Sequence, residues 1–392
     1  MRIKHLLIIS ALAAGSTLGA MAQDNNDEPK FTFKPAGRVL VDGAVFMPNG
    51  NGLNAGAAIP DIRMGAKMGY GKWSAKIDVG YSYGKVGLKD VYIQYDFNKQ
   101  NLIRAGYFVH QFGLQAATSS SMKPTMEAPI TDTYMAATGR NIGIMYVHDQ
   151  PSFFAGVSAM VAGTSLTTPS NEQGKTSFGG ITRLVYRPLH SDGLVAQAGI
   201  SGWYQTALHK KVTGPNGISY PSEGYFDFSA TFPTRVCKTT MLEGDVTDAR
   251  DVFKISPELL LAKGRLALEG QYYYMNVGRK NGLGNYKASG VYGMLRGIAI
   301  GGDYTYSHAD AGLATPGPKS LEVVLGYNYT NASCNAADIM GGITNDASIT
   351  LNYYINKYII ARLRYSYTDV RNSIAQPDRH VNIIQARLQV KF

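Results

Sequence analysis

From residue 37 to the C-terminus, apolar and polar positions alternate with a period of two, the signature of strands with two different faces. In 73–83, Trp73, Ala75, Ile77, Val79, Tyr81 and Tyr83 share one face, while Ser74, Lys76, Asp78, Gly80 and Ser82 share the other. Segment 62–70 sets Ile62, Met64, Ala66, Met68 and Tyr70 against Arg63, Gly65, Lys67 and Gly69, and Gly71-Lys72 joins the two as a hairpin turn would. The pattern recurs at 88–97, 102–110, 140–148, 153–162, 177–187, 194–204, 252–262, 265–275, 286–295, 298–307, 320–330, 347–355, 358–367 and 381–392. With 37–47 and 224–232 this predicts about eighteen strands of roughly ten residues, the length a tilted strand needs to cross a hydrocarbon layer. No helical period competes.

Connections alternate between tight (98–101, 149–152, 355–357) and long (111–139, 163–175, 205–223, 369–380), as in barrels with short periplasmic turns and long extracellular loops. Aromatics cluster at the tight turns: Tyr70, Trp73, Phe97, Phe153, Phe154, Tyr353, Tyr354 and Tyr358, as at a membrane interface. The alternation slips in the middle, where 262–264 and 295–297 read as tight turns on the wrong side. One or two strands between 232 and 346 are therefore misplaced, with 234–243 and 336–343 as replacements, and the expectation is 16–18 antiparallel strands.

Composition narrows the class. Only 17% of the 392 residues are charged, 44 are Gly and 26 Tyr. A soluble β-sandwich would alternate too, but its apolar face packs on a second sheet and favours Val, Ile, Leu and Phe over the Tyr, Gly and Ala found here. The reading is an all-β transmembrane barrel, a closed sheet with no free edge. The start fits export. Arg2, Lys4 and His5 precede an apolar stretch at 6–14 and an Ala20-Met21-Ala22 cleavage site. The expected organisation is a signal peptide at 1–22, a short polar segment at 23–36 and the barrel at 37–392. Losing Arg2 and Lys4 leaves 36 basic residues against 28 acidic ones. That mild excess, on an exported chain, does not point to a nucleic-acid partner.

If the apolar faces meet lipid, the other faces line a lumen. They carry Arg38, Arg63, Lys67, Lys76, Arg104, Arg183, Arg187, Lys254, Arg265, Lys287, Arg362, Arg364, Arg387 and Lys391. The acids are Asp42, Asp61, Asp78, Asp90, Asp96, Asp227, Glu258, Glu269, Asp303 and Glu322. Such a wall is basic but mixed, and a basic pore wall lowers the entry barrier for anions. The long segment 111–139 lacks strand period and holds Phe112, Leu114, Met122, Met126 and Met135, which suit packing inside a lumen as a constriction loop. Its charges are Lys123, Glu127 and Asp132, and Arg140 opens the strand that leaves it.

No cofactor or metal motif stands out. Gly174-Lys175-Thr176 has Pro169 where a phosphate loop needs Gly, and the histidines fall on separate elements without metal-type spacing. Glu243, Asp245, Asp248 and Asp251 have the wrong spacing for a calcium loop. Cys237 and Cys334 both lie in connections and can pair only if those fall on one side of the membrane.

The run Leu88-Lys89-Asp90-Val91-Tyr92-Ile93-Gln94-Tyr95-Asp96-Phe97 precedes Arg104-Ala105-Gly106-Tyr107-Phe108 and Gln111-Phe112-Gly113-Leu114. Thr118-Ser119-Ser120, Met126-Glu127 and Gly139-Arg140-Asn141-Ile142-Gly143 follow. Later come Ser289-Gly290-Val291-Tyr292, Ser320-Leu321-Glu322, Asn352-Tyr353-Tyr354-Ile355-Asn356 and the ending 385–392. In this order the motifs resemble the phosphate-selective porin O/P family. The resemblance implies sixteen strands, a homotrimer and a loop folded into the pore. The terminal Phe392 resembles the signal read by the outer-membrane assembly machinery. The implied function is passive diffusion of small hydrophilic or anionic solutes through the lipid of a Gram-negative outer membrane. Phosphate-selective members carry an arginine ladder and a lysine cluster. The single Lys of 111–139 departs from that, so a weakly anion-selective porin is the first expectation and a phosphate or polyphosphate channel the second. A barrel hydrolase would need a triad, and no such spacing appears. A surface receptor or adhesin using loops such as 205–223 is the remaining class.

Overall fold

The computed structural model describes residues 29–47, 52–136, 140–215 and 217–392. The expected signal peptide lies outside them. Sixteen antiparallel strands form one closed barrel. They are β1 (Thr32–Met47), β2 (Gly56–Tyr70), β3 (Trp73–Ser82), β4 (Lys85–Asp96), β5 (Asn101–Val109), β6 (Arg140–Gln150), β7 (Phe153–Val161) and β8 (Phe178–Ser191). Then come β9 (Leu194–Thr206), β10 (Ala249–Lys263), β11 (Leu266–Arg279), β12 (Tyr286–Ile300), β13 (Ser320–Cys334), β14 (Ile339–Tyr354), β15 (Ile359–Ser373) and β16 (Arg379–Lys391). The ring closes where β1 pairs with β16, from Arg38 opposite Lys391 to Met47 opposite Asn382. Gly37 and Phe392 exchange backbone bonds of 2.9 and 3.0 Å at that seam. A Cβ on Gly37 would collide with the Phe392 ring, so the expected assembly signal packs against the first strand.

Alternation does what the sequence demands. Val41, Val45, Met64, Ile77, Tyr81, Ile93, Leu259 and Leu363 point outward and stay exposed, whereas their neighbours Asp42, Asp78, Glu258 and Arg362 are buried inside. Such an outer belt is unfavourable in water by about 25 cal/mol per Å² and is stable only in lipid. Tyr70, Trp73, Phe97, Phe153, Tyr353 and Tyr358 sit on the outer surface at the turn end, but Phe154 and Tyr354 face inward.

Two expected strands are not in the wall. Segment 224–232 supplies Phe226–Thr231, which pairs with Thr240–Val246 in a separate hairpin, and 234–243 feeds the second arm of that hairpin. Segment 298–307 is the end of β12 followed by an irregular connection, and 295–297 lies within β12 instead of forming a turn. Stretch 336–343 contributes the start of β14. The wall begins at Thr32, ahead of the expected residue 37, and the long loop expected at 369–380 shrinks to 374–378. One turn-end connection, 301–319, is long where the rule predicts a short turn.

Candidate functional site: a divided lumen

One side of the lumen is filled. Between β5 and β6 the chain folds inward and forms two short helices, α1 (Gly113–Ala117) and α2 (Ile130–Met135). Phe112, Ile130, Tyr134 and Met135 pack on the inward faces of β11 and β12, on Tyr273, Met275, Tyr286, Tyr292 and Met294. The inner hairpin adds Phe226, Phe228, Ala230, Met241 and Leu242 to that core. Directional bonds fix the loop. Gly113 N donates to Ser201 Oγ at 2.9 Å, Asn328 Nδ2 to Thr131 Oγ1 at 2.6 Å and Tyr273 OH to Asp132 at 2.8 Å. Lys254 Nζ donates to Met135 O at 2.6 Å and lies 4.2 Å from the Trp203 ring centre. From the turn end, connection 301–319 also enters. Tyr304 joins Leu114 in one apolar cluster and donates to Glu322 at 2.8 Å. Arg183 donates to the carbonyls of Asp310 and Ala311, both at 2.9 Å.

The opposite side is open. A cavity of about 1070 Å³ runs along the inward faces of β1–β6, bounded across the lumen by 115–121 and the hairpin tip 231–235. Nine Lys or Arg line it against five Asp or Glu. Arg38 pairs with Asp61 (Nε–Oδ2 2.9 Å) and donates to Ser120 Oγ at 2.9 Å. Arg63 reaches Asp61 at 3.2 Å and Ser120 Oγ at 3.5 Å. Lys76 bridges Asp78 and Asp90, both at 2.7 Å, and Arg140 meets Asp90 at 2.7 Å. Arg104 sets its Nε and Nη2 on neutral Gln94 at 3.0 and 2.7 Å and stacks over Tyr92 at 4.3 Å. Among the described residues, Lys67 and Lys391 have no acidic partner within salt-bridge distance, so the passage carries unneutralised positive charge.

The structure thus divides the expected site residues. Arg63, Lys67, Lys76, Arg104 and Arg140 line the passage. Arg183, Arg187, Arg362 and Arg364 face inward but are at most 3% exposed, walled off behind the in-folded segments. Arg183 grips Glu258 through two bonds of 2.7 and 3.1 Å, Arg364 meets Asp346 at 2.8 Å, and Arg187 pairs with Asp149. Lys123, Glu127 and Asp132 border the cavity with buried side chains that hold the loop together. Lys123 donates to Gln115 O within the loop, and burial lowers its ammonium pKa. Burial alone would raise the Glu127 carboxyl pKa, but Arg387 and Arg235 pull it down to about 2. Glu127 accepts from both, at 3.0 Å from Arg235 Nε.

Four placements differ from expectation, the first being Arg265, which lies exposed in the turn between β10 and β11. Lys287 points outward, Asp227 lies exposed on the inner hairpin, and Asp303 is exposed in the turn-end connection. Lys287 moves because β12 presents Tyr286, Ala288, Tyr292, Met294 and Arg296 to the lumen, the opposite face from the one chosen by charge. Cys237 and Cys334 are both free thiols, bonded instead to Gly52 O at 3.1 Å and Asn285 O at 3.6 Å. Sequence reasoning missed Arg235, on the hairpin tip, and Arg296, which holds Glu269 and Glu322 at 2.8 Å each. It also missed Lys89. A register shift between Ile77 and Val79 sets an extra β4 residue opposite Asp78, and Lys89 folds over inward Gly80.

A closed sixteen-strand barrel with a lipid-facing belt, a loop folded into its lumen and a charged passage along one wall is an outer-membrane porin. The sequence matches the family model of phosphate-selective porin O and P over residues 37–392, and the chain belongs to that family. Solved structures share the fold. The anion-selective porin from Comamonas acidovorans is 13% identical at a TM-score of 0.56, covering 93% of this chain and 100% of its own. The trimer form of OmpT from Vibrio cholerae is 11% identical at 0.57, covering 92% and 99%. OmpF from Salmonella typhi, in complex with daunomycin, is 10% identical at 0.52, covering 92% and 97%. No curated protein matches the sequence.

Proposed function

We propose that solutes pass along the β1–β6 wall and that the passage favours small anions weakly. The observation that carries this is the excess of cations over acids around the cavity, with Lys67, Lys391 and Arg104 unneutralised. Partial pairing of Arg38, Arg63, Lys76 and Arg140 with acids keeps the preference modest. A phosphate preference is the second reading. It draws on Arg38, Arg63 and the Ser119 and Ser120 hydroxyls, which come together at the edge of the cavity and match oxyanion acceptors. Asp61 already occupies both guanidinium groups, which argues for the weaker, general preference. Transport is passive, and the chain acts as a channel and not as an enzyme. The working unit is a homotrimer, supported by the trimer form of the Vibrio cholerae neighbour. Reversal potentials in a KCl gradient test the reading. The expected sign is that of chloride permeating faster than potassium, more strongly at low salt. A cation-selective potential rejects it, and phosphate carrying more current than chloride would favour the second reading.

A further inference from the structure

Behind the constriction loop the wall holds a group of buried polar atoms that the porin reading does not use. Asn352, Arg362 and Arg387 are direct register partners across β14, β15 and β16, and Thr350 and Arg364 are partners one step along. Among the described residues, Nε and Nη2 of Arg362, Nε of Arg364, Oγ1 of Thr350, Oδ1 of Asn352 and Oε1 of Gln389 have no hydrogen-bond partner. All five side chains are at most 3% exposed. Leaving such atoms unsatisfied costs about 1–3 kcal/mol each, and more for a charged group.

Arg362 is the informative member. In Arg183, Arg296 and Arg387 the Nε–Nη2 edge grips a carboxylate, on Glu258, Glu322 and Asp42. Arg362 is as buried as they are, but only its Nη1 is used, donating to Lys123 O at 2.9 Å. The nearby carboxylate of Glu322 is already filled by Arg296, Tyr304, Tyr354 and Asn352. Asn352 cannot turn to help, because its Nδ2 donates to Pro124 O at 2.9 Å. Two parallel N–H donors on a buried cation match an anion that brings its own charge.

We propose that the Nε–Nη2 edge of Arg362 holds a small inorganic anion, enclosed between the β14–β16 wall and residues 122–126 of the loop. Through Arg362 and the Lys123 carbonyl, this ion ties the loop to the wall. It is distinct from the anions that permeate along β1–β6, so losing it leaves the sign of the reversal potential unchanged.

Anomalous diffraction tests this on the intact protein, with crystals grown in sodium bromide and, in parallel, in sodium arsenate. A peak on the Arg362 Nε–Nη2 edge is expected, and the series that shows it separates a halide from a phosphate-like oxyanion. Arg362→Lys keeps the charge but loses the edge, and should lose the peak. In wild type, bromide or arsenate should raise the midpoint of heat modification on gels by about 2 °C or more over gluconate at equal ionic strength. Arg362→Lys should show no such shift. Non-anomalous density at Arg362 in both series, or peaks confined to Lys67 and Arg104, would overturn the proposal even if the variant failed to fold.

Discussion

The β1–β6 wall and the β8–β14 wall are built from the same alternating sequence, yet it is the first that borders the open cavity. Inward residues of β1–β6 include Arg38, Arg63, Lys67, Lys76 and Arg104, which keep contact with the cavity. Those of β11 and β12 include Tyr273, Met275, Tyr286, Tyr292 and Met294, which lie under the loop and the inner hairpin. Several charged groups on the covered wall are buried in closed networks, such as Arg296 with Glu269 and Glu322 or Arg183 with Glu258. A lumen cation is therefore available to a passing ion on one wall and works as internal framework on the other.

The largest test of this division is to remove the divider. Deleting residues 116–134 takes away Ile130, Tyr134 and the 115–121 boundary beyond residue 115, so the cavity widens toward β11 and β12. Single-channel conductance should rise severalfold. Unchanged conductance in protein that still shows heat-modifiable migration would mean that the loop does not set the bore.

Next in size is a contrast between charges. At about 6 Å and an effective dielectric near 20, one unit charge acts on a passing ion with roughly 3 kcal/mol before solvation is counted. Even a third of that changes permeability ratios severalfold. The Lys67→Glu, Arg104→Glu double variant should therefore move the reversal potential toward cations, most at low salt. Arg183→Met should leave the reversal potential alone and instead lower heat stability, because Glu258 is left buried and unpaired at about 3–5 kcal/mol. Equal shifts from both variants would erase the distinction between the two walls.

Much of this fold could be read from the period-two pattern, because every wall strand must satisfy lipid on one side. The same rule explains the failures. Phe226, Phe228 and Ala230 alternate with Asp227 and Ser229 like any wall strand, but their apolar face meets other side chains inside the barrel and not lipid. Period alone cannot tell those two apolar surroundings apart, and segment 224–232 reads as long enough to span; the strand proves to be six residues, Phe226–Thr231, only in the structure. In β12, Tyr and Met face inward and Lys287 outward, so charge misled the choice of face. Which of the lumen arginines are free was not legible, since Arg104 and Arg183 have the same local pattern. Their difference comes from segments 111–136 and 301–319, which fold into the lumen and meet the wall only in three dimensions. Lys89 depended on a register shift, a backbone property that its neighbours in sequence do not announce.

The smallest expected effect lies at the boundary between the two regions, at Glu127. It receives Arg387 from β16 and Arg235 from the hairpin tip, and so ties the edge of the loop to both. Its carboxyl pKa is held at about 2, below the ordinary value of 4.5. A group whose folded value is depressed stabilises the fold fully above the ordinary value, and that contribution is lost as pH falls toward the folded one. A depression of this size corresponds to roughly 3 kcal/mol, enough to matter for one loop and too little to unfold a barrel. Open-channel current should therefore be equally quiet from pH 7 down to about 4.5 and grow noisier between there and about 2 as Glu127 takes up its proton. Glu127→Gln should be noisy across the whole range, with unchanged mean selectivity, because Arg235 and Arg387 each lose a charged partner while keeping Asp61 and Asp42. Wild-type noise that already rises between pH 7 and 5, or a variant as quiet as wild type, would show that this carboxylate does not hold the divider in place.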